Sequence, residues 1–505
     1  MSNLTENNCK TETALPLTGY MEEFTGMDPA RFCTPGHKGN AVSGGLSGAP
    51  DSLFGYDIAD DVASIPRKIR ESESYAAQIY NTLRTFYLVN GSTAGILAMF
   101  LSVIKPGEKV VIGRNCHRSA LSGLVLSGAV PAYALCDISS EGFQLNTTPQ
   151  AVEKALDQNS DAKAVFITSP SYWGICADME EIGRICRDRG VFLLADEAWG
   201  AHFPFGKNFP KSAIICGADL VVQSAHKTLP CLTGTSLLHI CSSKTDPVMV
   251  EESLALVQTT SPNLLYYLSL EQGINRMKTD GGAALKTAGD TVVRFREIVK
   301  KGKTSCSLLQ GCCPSDIYEI AQKRGFGTDP LKLSLFMDPV ETGISGSELA
   351  GWFTDSFGII PEMSDFNTII FLLTGWEKKH HIDNLEKALK NLSDENYNSG
   401  IKHRGKKYSS VKIHPEDSCC LPPTTAVSPR AAHFFPKKQI DLEESEGEIC
   451  GVPVVPYPPG IPVLMPGEII NAGTINILKK TASAGVNIRG IERNRNGWMI
   501  TVLDD

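Results

Sequence analysis

The chain has 505 residues, more than one compact core normally organises, so two to four units are expected with a large first one. Hydrophobic residues make up 42% and charged residues 21%, as in ordinary soluble globular proteins, and the formal charge of −8 leaves no basic surplus for nucleic-acid phosphates. No apolar run approaches the roughly 20 residues of a membrane span, and the 15 cysteines include no CxxC pair that would suggest a zinc or redox motif.

Residues 1–30 read as a polar arm closing on Met27, Asp28 and Pro29. Its first ten residues lack the basic-then-apolar layout of a secretory signal, so a cytoplasmic protein with reduced thiols is expected. Next comes Asn90-Gly91-Ser92-Thr93 before a helical run whose apolar face carries Ile96, Leu97, Phe100, Leu101 and Ile104, ended by Pro106 and Gly107. A Gly-Ser-Thr turn at a helix start offers free N–H groups and two hydroxyls, which suits a phosphate; plain N-capping is the bland alternative. No GKS or GKT follows, which removes the main support for an NTPase.

From there to about residue 240, short apolar runs alternate with helix-like segments. Strands are expected at 110–112, 164–168, 191–195 and 220–223, and a helix at 178–189 carries Met179, Ile182 and Ile185 at helical spacing. That alternation predicts an α/β unit with a mostly parallel sheet. After the 110–112 strand comes His117, a flat ring able to stack on a heterocycle, though a lone histidine is more often packing. The 191–195 strand runs into Asp196, Glu197 and Ala198, at the sheet edge where ligands sit in such folds; a solvated acidic pair is the commoner reading. The 220–223 strand runs into Ser224, His226 and Lys227, where a lysine of lowered pKa can form an imine and Ser224 can bond a phosphate; taken alone, this is a surface basic pair.

A long helical connection is expected at 265–300. A second unit holds strands at 331–336 and 369–373 around a helix at 345–357, whose Ser345 and Glu348 have capping-box spacing. After the polar stretch 391–407 a third unit is dense in proline at 453–466. The expected division is an arm at 1–30, a cofactor-binding unit at 31–300, a small α+β unit at 301–395 and a C-terminal α+β unit at 396–505. There is no internal repeat.

Each chemical motif is ambiguous by itself, but in company they supply a phosphate anchor, a stacking ring, a strand-end carboxylate and a strand-end lysine. Those are the parts required by an enzyme of pyridoxal 5'-phosphate (PLP), whose pyridine ring stays protonated beside an acid and acts as an electron sink.

The same residues carry a family resemblance. The motif from Thr34 to Gly39, the Gly91-Ser92-Thr93-Ala94 turn, Asn115 to Ser119, Asp196-Glu197-Ala198 and Ser224 to Lys227 resemble the Orn/Lys/Arg decarboxylases of aspartate-aminotransferase-type fold (fold type I). So do Ser428-Pro429-Arg430, Pro436 to Lys438, Pro456 to Pro462 and Leu464 to Glu468. The resemblance spans the chain from about residue 14 onward. It departs at Trp199, where many short members have histidine, and at Ser171. It implies PLP-dependent decarboxylation of a basic L-amino acid and a role in polyamine metabolism.

Carried residue by residue, the resemblance makes Lys227 the Schiff-base lysine, with Asp196 on the pyridinium and His117 on the ring. His226 lies beside the imine. Ser92, Thr93 and Ser224 hold the phosphate, and Ala198 lies at the cofactor. Thr260 or Ser261 reaches the phosphate of a second subunit, which implies a homodimer or larger homo-oligomer. Glu362 is the candidate for the substrate's distal cation, with Glu468 as a second candidate. No metal is expected. The absence of a long N-terminal extension favours a short biosynthetic type and arginine over lysine or ornithine. An aminotransferase or aldolase of the same fold, or an inactive regulatory homologue, are the alternatives.

Overall fold

Seven strands form the central sheet of the computed structural model: β1 (Arg84–Leu88), β2 (Lys109–Gly113), β3 (Val130–Ala134), β4 (Ala164–Thr168), β5 (Phe192–Asp196), β6 (Leu220–Gln223) and β7 (Ser236–Ile240). The structure describes residues 15–27, 31, 53–62, 64–139, 144–302, 316–336, 339–392, 423–457, 460–483, 486–495 and 497–504. Strand order is β1-β7-β6-β5-β4-β2-β3. The run from β3 to β6 is parallel, and β7 is antiparallel to both its neighbours. β6 and β7 are joined by a short connection, which permits antiparallel neighbours, whereas the parallel pairs need crossover helices.

The strands are apolar at nearly every position because both faces are covered. Val111, Val165, Ile167, Leu193, Ala195 and Val221 enter one core. The alternate residues Val110, Ile112, Phe166, Leu194 and Val222 enter the other. This is the period-two geometry of a strand with each face buried in a different layer. Helix Gly91–Val103 lies in the second core and buries Ala94, Gly95, Ile96, Ala98, Met99 and Phe100. Leu97 and Leu101 are only half-buried, so its apolar contact is broader than the expected face.

The expected strands at 164–168 and 220–223 form over those residues, and the others shift by about one position, as element ends commonly do. Helix Met179–Asp188 starts on Asp178, whose side chain accepts from Glu181 N. Helix Gly346–Phe357 has its capping box, with Ser345 and Glu348 each bonding the other's backbone.

Two expectations change. Part of the expected arm is helix Pro16–Gly26, whose Leu17 and Met21 are fully buried and whose Leu17 and Thr18 amides donate to the Glu271 carboxylate at 3.0 and 2.8 Å. The long connection is two helices, Leu264–Arg276 and Gly282–Gly302, joined by a π turn at Met277–Gly281. The 34–39 motif and the stretch 393–407 lie outside the described residues.

The second unit's sheet pairs Lys332–Phe336 and Met363–Ser364 with Thr368–Leu372, and its Leu333, Leu335, Ile369 and Phe371 share a core with the large sheet. The C-terminal unit has a core of its own around Val454, Leu478, Ile500 and Val502.

Candidate active site

The carboxyl ends of β1, β2, β4, β5 and β6 open onto one cavity of about 600 Å³, at the edge where parallel sheets bind ligands. Its walls include Ser92 and Thr93 after β1, Asn115 and His117 after β2, Thr168 from β4, Asp196 and Ala198 from β5, and Ser224, His226 and Lys227 after β6. Residues spread over 136 positions of sequence thus meet because every connection returns to the same sheet edge.

The phosphate-type corner lies at the start of helix Gly91–Val103. The chain enters through Gly91 at φ +72°, a left-handed conformation that glycine adopts without a Cβ clash. Asn90 stands at the N-cap and makes no side-chain capping bond, so neither Ser92 nor Thr93 serves as the cap. Instead Ser92 Oγ lies 2.6 Å from Ser224 Oγ and donates to Ser236 Oγ at 3.1 Å. Three hydroxyls therefore converge beside a positive helix end, a place that favours an anion. Ser236, the first residue of β7, was not a sequence candidate; the apolar run that follows it was the available signal.

Asp196 is 2% exposed, and its Oδ1 accepts from Ala198 N at 3.1 Å. Burial pushes its pKa up, while the Lys227 charge works in the opposite direction. Lys227 is half-buried with its pKa lowered by desolvation, against the pull of Asp196 and Glu362. Its Nζ stands 4.3 Å from the centre of the Trp199 ring. His226 lines the same cavity, its Nδ1–H donating to Thr235 O at 2.7 Å. This leaves Nε2 as the unprotonated nitrogen of the neutral ring. Burial lowers its pKa as well.

His117 is the N-cap of helix Arg118–Ser127. Its Nδ1 accepts from Ser119 N at 3.3 Å and lies 2.8 Å from Ser119 Oγ, which fixes the ring plane while leaving the ring open to the cavity. Surrounding protein first, then the Lys227 and Arg118 charges, lower its pKa to about 4, so it presents a neutral ring near pH 7.

Glu362, from the second unit, lines the same cavity and accepts from Tyr172 Oη at 3.0 Å. Tyr172 packs edge-on to Trp199 with ring centres 5.1 Å apart. Glu468, the second candidate for the same purpose, lies elsewhere. Glu468 is 1% exposed, is absent from the cavity wall, accepts from Met465 N at 2.8 Å and pairs with Arg114 at 3.1 Å. Its Oε2 answers a buried guanidinium, while Oε1 has no hydrogen-bond partner among the described residues. Thr260 and Ser261 are exposed after helix Pro247–Val257 and do not line this chain's cavity.

The second unit also brings Lys332, which sequence reading did not single out. It is fully buried, with Nζ 3.8 Å from the Trp199 ring centre.

Comparison with known proteins follows the same lines. The family model for the Orn/Lys/Arg decarboxylase major domain matches residues 15–381, and that for the C-terminal domain matches 420–502. An arginine decarboxylase of Bacillus subtilis (strain 168) is 30% identical over 94% of this chain and 95% of its own length. Among solved structures, the Francisella novicida lysine decarboxylase LdcF superposes with a TM-score of 0.80 at 18% identity, over 97% of this chain and 81% of that one. An alanine–glyoxylate aminotransferase from Nostoc sp. superposes with a TM-score of 0.52 at 18% identity, over 72% of this chain and 95% of that one.

Proposed function

The chain belongs to the Orn/Lys/Arg decarboxylase family, and on that premise we propose that it removes the α-carboxyl group of L-arginine, with L-lysine and L-ornithine as the next candidates. Relatives over most of the chain include arginine decarboxylases and lysine decarboxylases. The observation that carries the reading is the meeting of Lys227 and Asp196 on one cavity that also holds Glu362. The preference for arginine rests on the arginine decarboxylases among the relatives that match nearly the whole chain.

The residues fit PLP. Asn115 Oδ1 is buried without a hydrogen-bond partner among the described residues, and Asn115 lines the cavity. Buried polar atoms of this kind call for a ligand partner. Ser92, Thr93, Ser224 and the amides at the helix start would hold the phosphate, Asp196 the ring nitrogen, and His117 one ring face. When bound, PLP supplies an aldehyde that condenses with amines and a protonated ring that accepts the electron pair left by departing CO2.

The protein's own groups do the rest. Desolvation keeps Lys227 Nζ neutral at lower pH than a free lysine, so its amine is available as nucleophile and later as proton carrier. Asp196, without a salt-bridge partner of its own among the described residues, offers its charge to the ring nitrogen and gains a partner in return. Glu362, oriented by Tyr172, receives the distal cation of the substrate and sets how far the α-carbon lies from Lys227. Lys227 Nζ, or His226 Nε2 after taking up a proton from solvent, delivers a proton to the α-carbon.

We also propose a homodimer or larger homo-oligomer in the cytoplasm, with the exposed Thr260 and Ser261 reaching a second copy's phosphate. No described helix is long and apolar enough to cross a membrane.

Amine release from an equal mixture of arginine, lysine and ornithine, with PLP added and read by mass spectrometry, tests the proposal. Agmatine as the dominant product supports it, and cadaverine or putrescine moves the substrate within the family. No amine from a protein with bound cofactor overturns the decarboxylase reading.

A further inference from the structure

The turn that carries Tyr172 is held from outside its own domain. Its three successive carbonyl oxygens each accept from the second unit: Tyr172 O from Lys332 Nζ, Trp173 O from Tyr318 Oη at 3.3 Å, and Gly174 O from Asp329 N at 2.7 Å. Gly174, at φ +84°, permits the approach, because a Cβ there would lie 3.1 Å from both Asp329 Cβ and Lys332 Cδ. The lysine stem therefore threads directly past the turn.

Lys332 is the one charged member of this clamp whose head group also touches the site. Its Nζ lies 3.8 Å from the Trp199 ring centre and 5.1 Å from that of Tyr172. The opposing charge nearest in effect is Asp329, whose Oδ1 is already engaged by His202 Nε2 at 3.2 Å and Leu331 N at 3.0 Å. Burial lowers its pKa to about 7, and a polar head group so fully buried is costly unless it is bonded, as this one is to Tyr172 O. It does not line the cavity, so it acts on the ligand only through Tyr172 and Trp199.

We propose that Lys332 is a positioning residue for substrate selection: by tying the Tyr172 carbonyl and the Trp199 ring to the second unit, it fixes the wall between Lys227 and Glu362. It thereby sets the length of basic amino acid that spans the two. This rests on the reading of Glu362 as the acceptor of the distal cation.

The test uses the full-length holoenzyme and compares Lys332→Met, Tyr172→Phe and their double variant on arginine, lysine and ornithine. Substrate binding is also followed without turnover, through the change in visible absorbance of bound PLP. Lys332→Met is expected to raise KM and the dissociation constant for the preferred substrate by about tenfold, with kcat changed far less, and to narrow discrimination among the three amino acids. The double variant is expected to resemble the worse single variant, because Lys332 places Tyr172 and Tyr172 Oη in turn places Glu362. Binding and discrimination that stay within about twofold of wild type, or effects that simply add, overturn the proposal. Should Lys332→Met fail to fold, Lys332→Gln removes the charge over the Trp199 ring and, one atom shorter, withdraws the donor from Tyr172 O. A KM and discrimination like wild type in that folded variant likewise overturn it. If wild type binds one of these amino acids yet releases no amine, the decarboxylase reading falls, and Lys332 is judged on the dissociation constants alone.

Discussion

At the scale of single residues, the site depends on charges that burial makes reactive. Lys227 combines partial burial with a lowered pKa, and it faces a carboxylate that is itself buried. Replacing Lys227 by Ala is expected to abolish turnover and to remove the borohydride-reducible adduct with PLP; near-normal amine release by that variant would falsify its role as nucleophile. Asp196→Ala is expected to lower kcat by several orders of magnitude while leaving the Ser92–Ser224 corner able to hold the phosphate. A loss of cofactor affinity alone, with kcat intact at saturating PLP, would count against an electronic role for Asp196.

The elements impose a different constraint, seen where polar side chains cross the sheet interior. On β7, His239 is fully buried, lies 2.9 Å from Thr85 Oγ1 through Nδ1 and 3.2 Å from Gln223 Oε1 through Nε2. Gln223 Nε2 in turn donates to Glu197 at 2.6 Å. Desolvation lowers the His239 pKa to about 3, so the folded state needs the neutral ring. A group whose folded pKa is depressed gives stability that is complete above the unfolded value of 6.5 and is lost progressively as pH falls towards 3. The contribution of this residue should decline by about 1.4 kcal/mol per pH unit over that window. Chemical unfolding between about pH 7 and 4 measures it, with His239→Gln as the comparison. Equal pH dependence in the two proteins would show that the histidine is not the responsible group.

For the whole molecule, the C-terminal unit is tied to the site by a buried ion pair. Arg114, one residue before Asn115, donates to Pro462 O and Val463 O at 3.0 Å each and to Glu468 at 3.1 Å, with both side chains almost fully buried. Ile461, next to Pro462, forms part of the cavity wall. Glu468→Ala leaves the guanidinium without its counter-charge and should cost about 3–5 kcal/mol of stability. The double variant Arg114→Met, Glu468→Leu should recover much of that loss, because no charge is then stranded. Denaturant midpoints for the three proteins decide the point, and a double variant no better than the single one would assign the loss to packing.

Much of the candidate site was legible because its residues sit at strand ends. A short apolar run followed by Asp196, or by Ser224 and Lys227, marks both a strand and the edge where it stops, so chain order alone assembled four groups on one side of a sheet. The capping box of Ser345 and Glu348 was legible for a similar reason, being a bond between neighbours in sequence. Lys332 was not. Leu331, Lys332, Leu333, Ser334 and Leu335 alternate like a strand with one wet face, yet both faces are buried, since Tyr318 and the 172–174 turn cover the polar side. The ion pair of Glu468 was equally hidden, because its guanidinium comes from a residue 354 positions away. Sequence by itself determined the elements and the chemistry available at their ends, which are local properties of a chain. Only the tertiary structure decided which buried charges face the cavity and which answer each other, because that depends on desolvation and on partners brought together by folding.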